Sequence, residues 1–109
     1  MEEMYIKSLL LDFYGPLLTE RQRYSVEEHY EHDRSLSEIA EDLGVSRQAV
    51  HDNLQRAMHL LEEYETKLGL VKQYRERQAV VKELQETLQD TLDAEKMQAI
   101  SPLLDLLAE

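Results

Sequence analysis

The stretch SLSEIAEDLGVSRQAVHDNLQRAMHLL, residues 35–61, decides the fold. Ser35 and Glu38 stand three apart, the spacing of a capping box, in which each side chain satisfies a backbone N–H at a helix start. The helix they open runs to Leu43, because Gly44 follows and suits the left-handed conformation of a helix stop. Ser46 is the next N-cap, and a long helix is expected from Arg47 towards Thr66. Two helices that meet at a sharp angle need a small residue where they cross, and Ala40 meets that need. Val50 is placed to fill the space beneath the crossing, with Ile39, Leu43, Val45 and Leu54 completing a small core. Ala40, Gly44 and Val50 at these offsets, with apolar neighbours in phase, give a helix-turn-helix from Leu36 to roughly Gln55.

Working outward, Ile6, Leu9, Leu10 and Phe13 have the three-and-four spacing of one buried helical face. They predict a first helix over roughly Met4 to Tyr14, ended by Gly15-Pro16. Thr19 with Gln22 is a second capping box, and it starts a helix at about Glu20 with a sparse apolar face of Tyr24, Val26 and Tyr30. Downstream, Leu68-Gly69-Leu70 marks a kink or short break. Leu84, Leu88 and Leu92 then repeat every four residues, a stripe suited to packing against another helix. Asp93 would cap a final turn, and Ser101-Pro102 would restart a short helix carrying Leu103, Leu104, Leu106 and Leu107. The expectation is an all-α chain: a four-helix domain over residues 1–69 and a C-terminal helical extension over residues 70–109.

The formal net charge is -11, with 12 Lys and Arg against 23 Asp and Glu. That disfavours indiscriminate nucleic-acid binding, whose affinity comes from counterion release by cations. The acidity is uneven. Residues 83–109 carry one Lys against seven Asp and Glu, whereas residues 62–82 carry five Lys and Arg against four Glu. Residues 21–61 remain mildly acidic, with five Arg against eight Asp and Glu. Cysteine is absent, which excludes a disulfide, a thiolate metal site and a cysteine nucleophile. The longest apolar run, Leu9-Leu10-Leu11, is far too short to span a bilayer, and a cytoplasmic location is expected.

On the second helix of the motif, Arg47, Gln48, His51, Asp52 and Gln55 face outward. Arginine pairs with guanine and glutamine with adenine in the major groove, so Arg47, Gln48, His51 and Gln55 are candidate base readers. Ser46 at the helix N-terminus and Arg56 are candidate phosphate contacts. His29 and His32 have a spacing that zinc can use, but a third ligand at suitable spacing is lacking, so they read as a solvated helix end. Glu62, Glu63 and Glu65 read as a solvated face, and the six tyrosines as core or core-edge residues. The sequence lacks the nucleophile-elbow, phosphate-loop and zinc-protease patterns, and it reads as a non-enzyme without cofactor or metal.

Residues 35–57 resemble the promoter-reading C-terminal domain of bacterial sigma factors. More closely, DFYGPLLTERQR (residues 12–23) and SLSEIAEDLGVSRQAVHDNLQRAMHLLEEYETKLGL (residues 35–70) resemble the YlxM family of bacterial helix-turn-helix proteins. The resemblance spans roughly residues 4–75 and is strongest at SRQAVHDN followed by LLEEYE. It implies a sigma-like helical fold and a small bacterial cytoplasmic protein. Gene neighbourhood in that family further implies a link to the signal-recognition-particle pathway. The reading helix is less basic than in sigma domains, which argues against a full sigma activity.

Two readings stay open. In the first, the chain is a DNA-binding regulator. In the second, it is an interaction module whose acidic surface meets a basic protein or ribonucleoprotein. The leucine-rich extension predicts a homodimer or higher homo-oligomer, because a small domain offers little else to bury it against.

Overall fold

Four helices begin on a side-chain cap. Thr19 accepts from the Gln22 N–H at 3.2 Å, and Gln22 answers with its side-chain oxygen on the Thr19 N–H at 3.0 Å. Ser35 and Glu38 close the same reciprocal pair at 3.1 and 3.2 Å. Ser46 accepts from the Ala49 N–H at 3.1 Å, and Asp93 accepts from the Lys96 N–H at 2.8 Å. The computed structural model describes residues 2–109. Among the described residues there are six α-helices and no strand: α1 (Glu2–Tyr14), α2 (Glu20–Val26), α3 (Leu36–Leu43), α4 (Arg47–Leu68), α5 (Leu70–Thr91) and α6 (Ala94–Ala108). The chain is all-α, as the spacing of its apolar residues predicts.

Proline and glycine set the breaks. Pro16 sits in a single 3₁₀ turn, Gly15–Leu17, that ends α1. Gly44 (φ 68°) and Gly69 (φ 65°) take the left-handed conformation after α3 and after α4, where a side chain would be strained. Two breaks have neither residue: Leu92-Asp93 between α5 and α6, and the segment after α2. α2 widens into a π turn, Glu27–Glu31, and the chain then reverses at Asp33 with φ 54°. Aspartate is among the few other residues that tolerate this region.

The chain divides into two units, the first ending at Val71 and the second comprising Lys72–Glu109. In the first, α1, α2 and α3 all pack on α4. The buried set is Leu9, Leu10, Leu11 and Tyr14 from α1, Val26 from α2, Ile39 and Ala40 from α3, and Val50, Leu54, Ala57, Met58 and Leu61 from α4. Each large aliphatic side chain so buried contributes roughly 1.5–3 kcal/mol. Leu43 and Val45 differ from expectation: both are half-buried and line a surface hollow, because the turn carrying them lies at the edge of the crossing.

In the second unit, α5 and α6 lie against one another. Val81 and Leu104 are buried, the Arg77 guanidinium donates to the Glu109 carbonyl at 3.2 Å, and Gln78 Nε2 donates to the Ala108 carbonyl. The expected leucine stripe therefore splits: Leu88 and Leu92 are half-buried, while Leu84 is exposed. Pro102 does not restart a helix but lies inside α6. Its ring tolerates helical φ, and the helix forgoes one hydrogen bond.

Candidate nucleic-acid interface

Helix α4 has 3.6 residues per turn, and that periodicity spreads the six sequence-nominated residues over three surfaces. Ser46 ends the turn, its hydroxyl accepting from the Ala49 N–H. Arg47 and Gln48 stand exposed on the first turn. His51 and Gln55 lie on one flank, where they line an open groove of about 600 Å³ together with Lys7, His29 and His59. Arg56 lies on the opposite flank, because five residues beyond His51 is about 140° around the helix. There it lines a hollow of about 290 Å³ with Arg21 of α2. The sequence reading treated these residues as one face; the structure groups them as crest, groove and hollow.

Local contacts tune this surface. Gln48 Nε2 donates to Asp52 Oδ1 at 3.0 Å, so the amide of a candidate base reader is already engaged. His51 Nδ1 is buried at the atom level and lies 3.6 Å from Asp52 Oδ1, outside hydrogen-bond range. Arg47 has no hydrogen-bond or ion-pair partner among the described residues, which leaves its guanidinium available.

The acidic flank of α3 is partly neutralised. Arg34 meets Asp42 at 2.5 Å, Glu28 at 3.2 Å and Glu38 at 3.9 Å, and also donates to the Tyr24 hydroxyl at 3.2 Å. The Tyr24 hydroxyl in turn donates to Asp42 at 3.0 Å. The Arg34 guanidinium, and after it the Tyr24 hydroxyl, hold the Asp42 carboxyl below the ordinary aspartate range. The guanidinium itself is pushed up, first by Asp42 and then by Glu28. The sequence carried part of a signal for this network: Glu38 and Asp42 stand four apart on one face of α3, and Arg34 joins them from the segment just before the Ser35 cap.

Other nominated residues sit as follows. His29 Nδ1–H donates to the Arg34 carbonyl at 2.9 Å, and His32 Nδ1 lies 3.5 Å from Glu28, so the two imidazoles serve the end of the π turn. Glu65 departs from the solvated face expected of it. It is half-buried and accepts from the Tyr14 hydroxyl at 2.6 Å and the Val71 N–H at 2.9 Å. Two further residues escaped sequence reasoning. Ser25 is fully buried and receives Asn53 Nδ2 at 3.4 Å, a polar bond pinning α2 to α4. No helix among the described residues is long and apolar enough to cross a membrane.

Comparison with known proteins places the chain in a family. Residues 1–100 match the family described as "Putative helix-turn-helix protein, YlxM / p13 like". The UPF0122 protein of Symbiobacterium thermophilum is 49% identical over 81% of this chain and 82% of its own length. That of Halalkalibacterium halodurans is 44% identical over 90% of each, and that of Bacillus pumilus 39% identical over 98% of this chain and 97% of its own. A two-helix motif crossing at Ala40, and a whole-length match to relatives of the same size, lead to one assignment: the chain belongs to the YlxM/p13-like UPF0122 family of helix-turn-helix proteins.

Proposed function

We propose that the protein is a bacterial cytoplasmic regulator that reads duplex DNA with the N-terminal half of α4 in the major groove. The observation that carries this reading is Arg47, exposed on the first turn of the second helix of the motif and free of any carboxylate partner. A guanidinium in that position reaches the guanine O6 and N7 edge. Gln48 reads adenine once its amide leaves Asp52, an exchange of one hydrogen bond for two. Ser46 and Arg56 take phosphates, and His51 and Gln55 take the edge of the site beyond the crest. The pairing of Asp42 with Arg34 supports the reading, because it blunts a carboxylate that would repel the phosphate backbone. The family resemblance adds the setting, regulation within the signal-recognition-particle pathway.

Selection of bound duplexes from a random pool, followed by anisotropy on the selected sequence, tests the reading. Arg47→Ala with Gln48→Ala is expected to abolish sequence-specific binding while leaving the melt intact. Each lost bidentate contact costs about 1–3 kcal/mol, on the order of tenfold to a hundredfold in affinity. Specific binding that survives the double change would remove α4 as the reader.

The net charge of -11 favours a second reading, an interaction module for a basic protein or ribonucleoprotein. Pulldown from a bacterial lysate with and without nuclease separates the two. A protein partner retained after nuclease treatment supports the second reading, whereas recovery of DNA fragments lost on treatment supports the first.

A further inference from the structure

We propose that Arg21 on α2 and Arg56 on α4 form a clamp for a phosphodiester of the nucleic-acid backbone, in the hollow beside the reading helix. The ligand assignment rests on the nucleic-acid reading above; the anion site itself rests on the geometry.

Both arginines line one concavity of about 290 Å³. Their helices are registered by the bond between Asn53 Nδ2 and the buried Ser25 hydroxyl, 3.4 Å. Arg21 stands one turn before Ser25 on α2, and Arg56 one turn after Asn53 on α4. The polar bond therefore ties together the two helices that carry the arginines, and both arginines line the hollow.

Three other cations of the first unit are committed, Lys7 to Glu3 at 3.3 Å, Arg23 to Glu27 at 2.8 Å, and Arg34 to Asp42, Glu28 and Glu38, whereas Arg47 and Lys67 are not. Arg21 and Arg56 have no hydrogen-bond or ion-pair partner among the described residues, although Asp and Glu outnumber Lys and Arg 23 to 12 in the sequence. Asp52 also lines the hollow, but its Oδ1 accepts from Gln48 on the crest. Two unpaired guanidiniums facing one hollow repel each other, and an anion between them reverses that repulsion. The planar fork of each matches two oxygens of a phosphate.

The position favours a polymer backbone over a free ion. The hollow is open, and Val45 and Ala49 on its wall belong to the turn and first turn of α4, next to Arg47. A strand whose bases met Arg47 would pass its phosphates over this rim, and the apolar wall suits a sugar. Contacts of this kind set register without reading sequence.

The test uses the full chain and a mixed-sequence 20-base-pair duplex, with binding measured by anisotropy across salt concentrations. Arg21→Gln with Arg56→Gln is expected to lower the slope of log affinity against log salt by about 1.8, two phosphate contacts at about 0.9 each. Arg23→Gln, on the same helix but committed to Glu27, is expected to leave the slope unchanged. In parallel, inorganic phosphate is titrated into the wild-type protein while the arginine Nε–Hε resonances are followed by NMR. Selective shifts at Arg21 and Arg56 support the anion site without needing a variant. Duplex binding with an unaltered slope in the double variant overturns the clamp and spares the DNA reading. Phosphate shifts at both arginines with no duplex binding overturn the DNA reading and uphold the anion site. Absence of both overturns both.

Discussion

The Tyr14 hydroxyl donates to Glu65 Oε1 at 2.6 Å across 51 positions of sequence. It also accepts from the Leu70 N–H at 3.0 Å, while the same Glu65 oxygen accepts from the Val71 N–H at 2.9 Å. The first N–H groups of a helix have no intrahelical partner, so a phenol from α1 and a carboxylate from α4 cap the start of α5. Burial first, and then the Glu65 hydrogen bond, raise the Tyr14 pKa above its ordinary value of 10.0. Tyr14→Phe leaves the Leu70 N–H without its acceptor, at a cost of about 1–3 kcal/mol. A group whose pKa is raised on folding stabilises below its unfolded value, and that contribution is lost as pH rises through the folded value. The melting temperature of Tyr14→Phe is therefore expected below that of wild type at pH 7, with the gap closing above pH 10. A gap that stays constant with pH would detach the effect from the phenol proton.

The Asp42 carboxyl titrates in the opposite sense. Arg34 and Tyr24 hold its pKa below the ordinary 3.8, so its contribution is present above that value and is lost as pH falls through the lower folded one. Glu38 adds to the same limb, its pKa lowered first by the Ser35 backbone N–H and then by the Ser35 hydroxyl. Asp42→Asn is expected to melt below wild type at neutral pH and to converge with it in strong acid. Thermal melts between pH 7 and pH 2 check this. Parallel curves would mean that the Arg34–Asp42 pair contributes no pH-dependent stability.

Ala40 is 6% exposed where α3 meets α4, beside Ile39 and Val50, which are 0% and 1% exposed. The Val45 N–H donates to the Ala40 carbonyl at 3.0 Å and closes the turn over it. Ala40→Leu adds bulk to a crossing with no space for it, and overpacking of this kind costs about 1–3 kcal/mol. A drop of several degrees in the thermal melt is expected, and an unchanged melt would move Ala40 out of the crossing.

The parts of the fold legible in the sequence were those set by local rules. Thr19–Gln22 and Ser35–Glu38 are contained within four residues, and Gly44 and Gly69 need only their own φ, so capping and stopping signals located helices α2 to α4 closely. The π turn after α2 escaped notice because widening a helix by one residue leaves no compositional mark. Glu65 was misread for a different reason: three acidic residues among four positions look solvated, and only the tertiary approach of Tyr14 singles one out. The same limit applied at the interface. Arg47 and Gln48 were legible from motif position alone. That Arg56 turns away from His51 towards Arg21 depends on how α2 crosses α4, which a lone pair of arginines 35 residues apart in the sequence does not announce.

The second unit leaves apolar surface exposed, and this leads to a prediction about assembly. On α6, Leu103, Leu106 and Leu107 share one helical face and are 60%, 64% and 55% exposed. On α5, Val80 and Leu84, four residues apart, are 62% and 40% exposed. The packing of α5 on α6 uses Val81 and Leu104, so these five residues are surplus to it. Covering each gains roughly 1.5–3 kcal/mol, which makes a second copy of the chain a favourable partner. Self-association of this kind is commonly two-fold, and a two-fold axis would also present two reading helices to paired half-sites. A homodimer or higher oligomer is expected at micromolar concentration. Leu103→Ser with Leu106→Ser and Leu107→Ser should yield a monomer with helical content retained, because Leu104 and Val81 are untouched. Deleting residues 80–109 should also give a monomer, one that keeps α1 to α4. Light scattering decides the matter, and a wild-type monomer at micromolar concentration would sink the proposal.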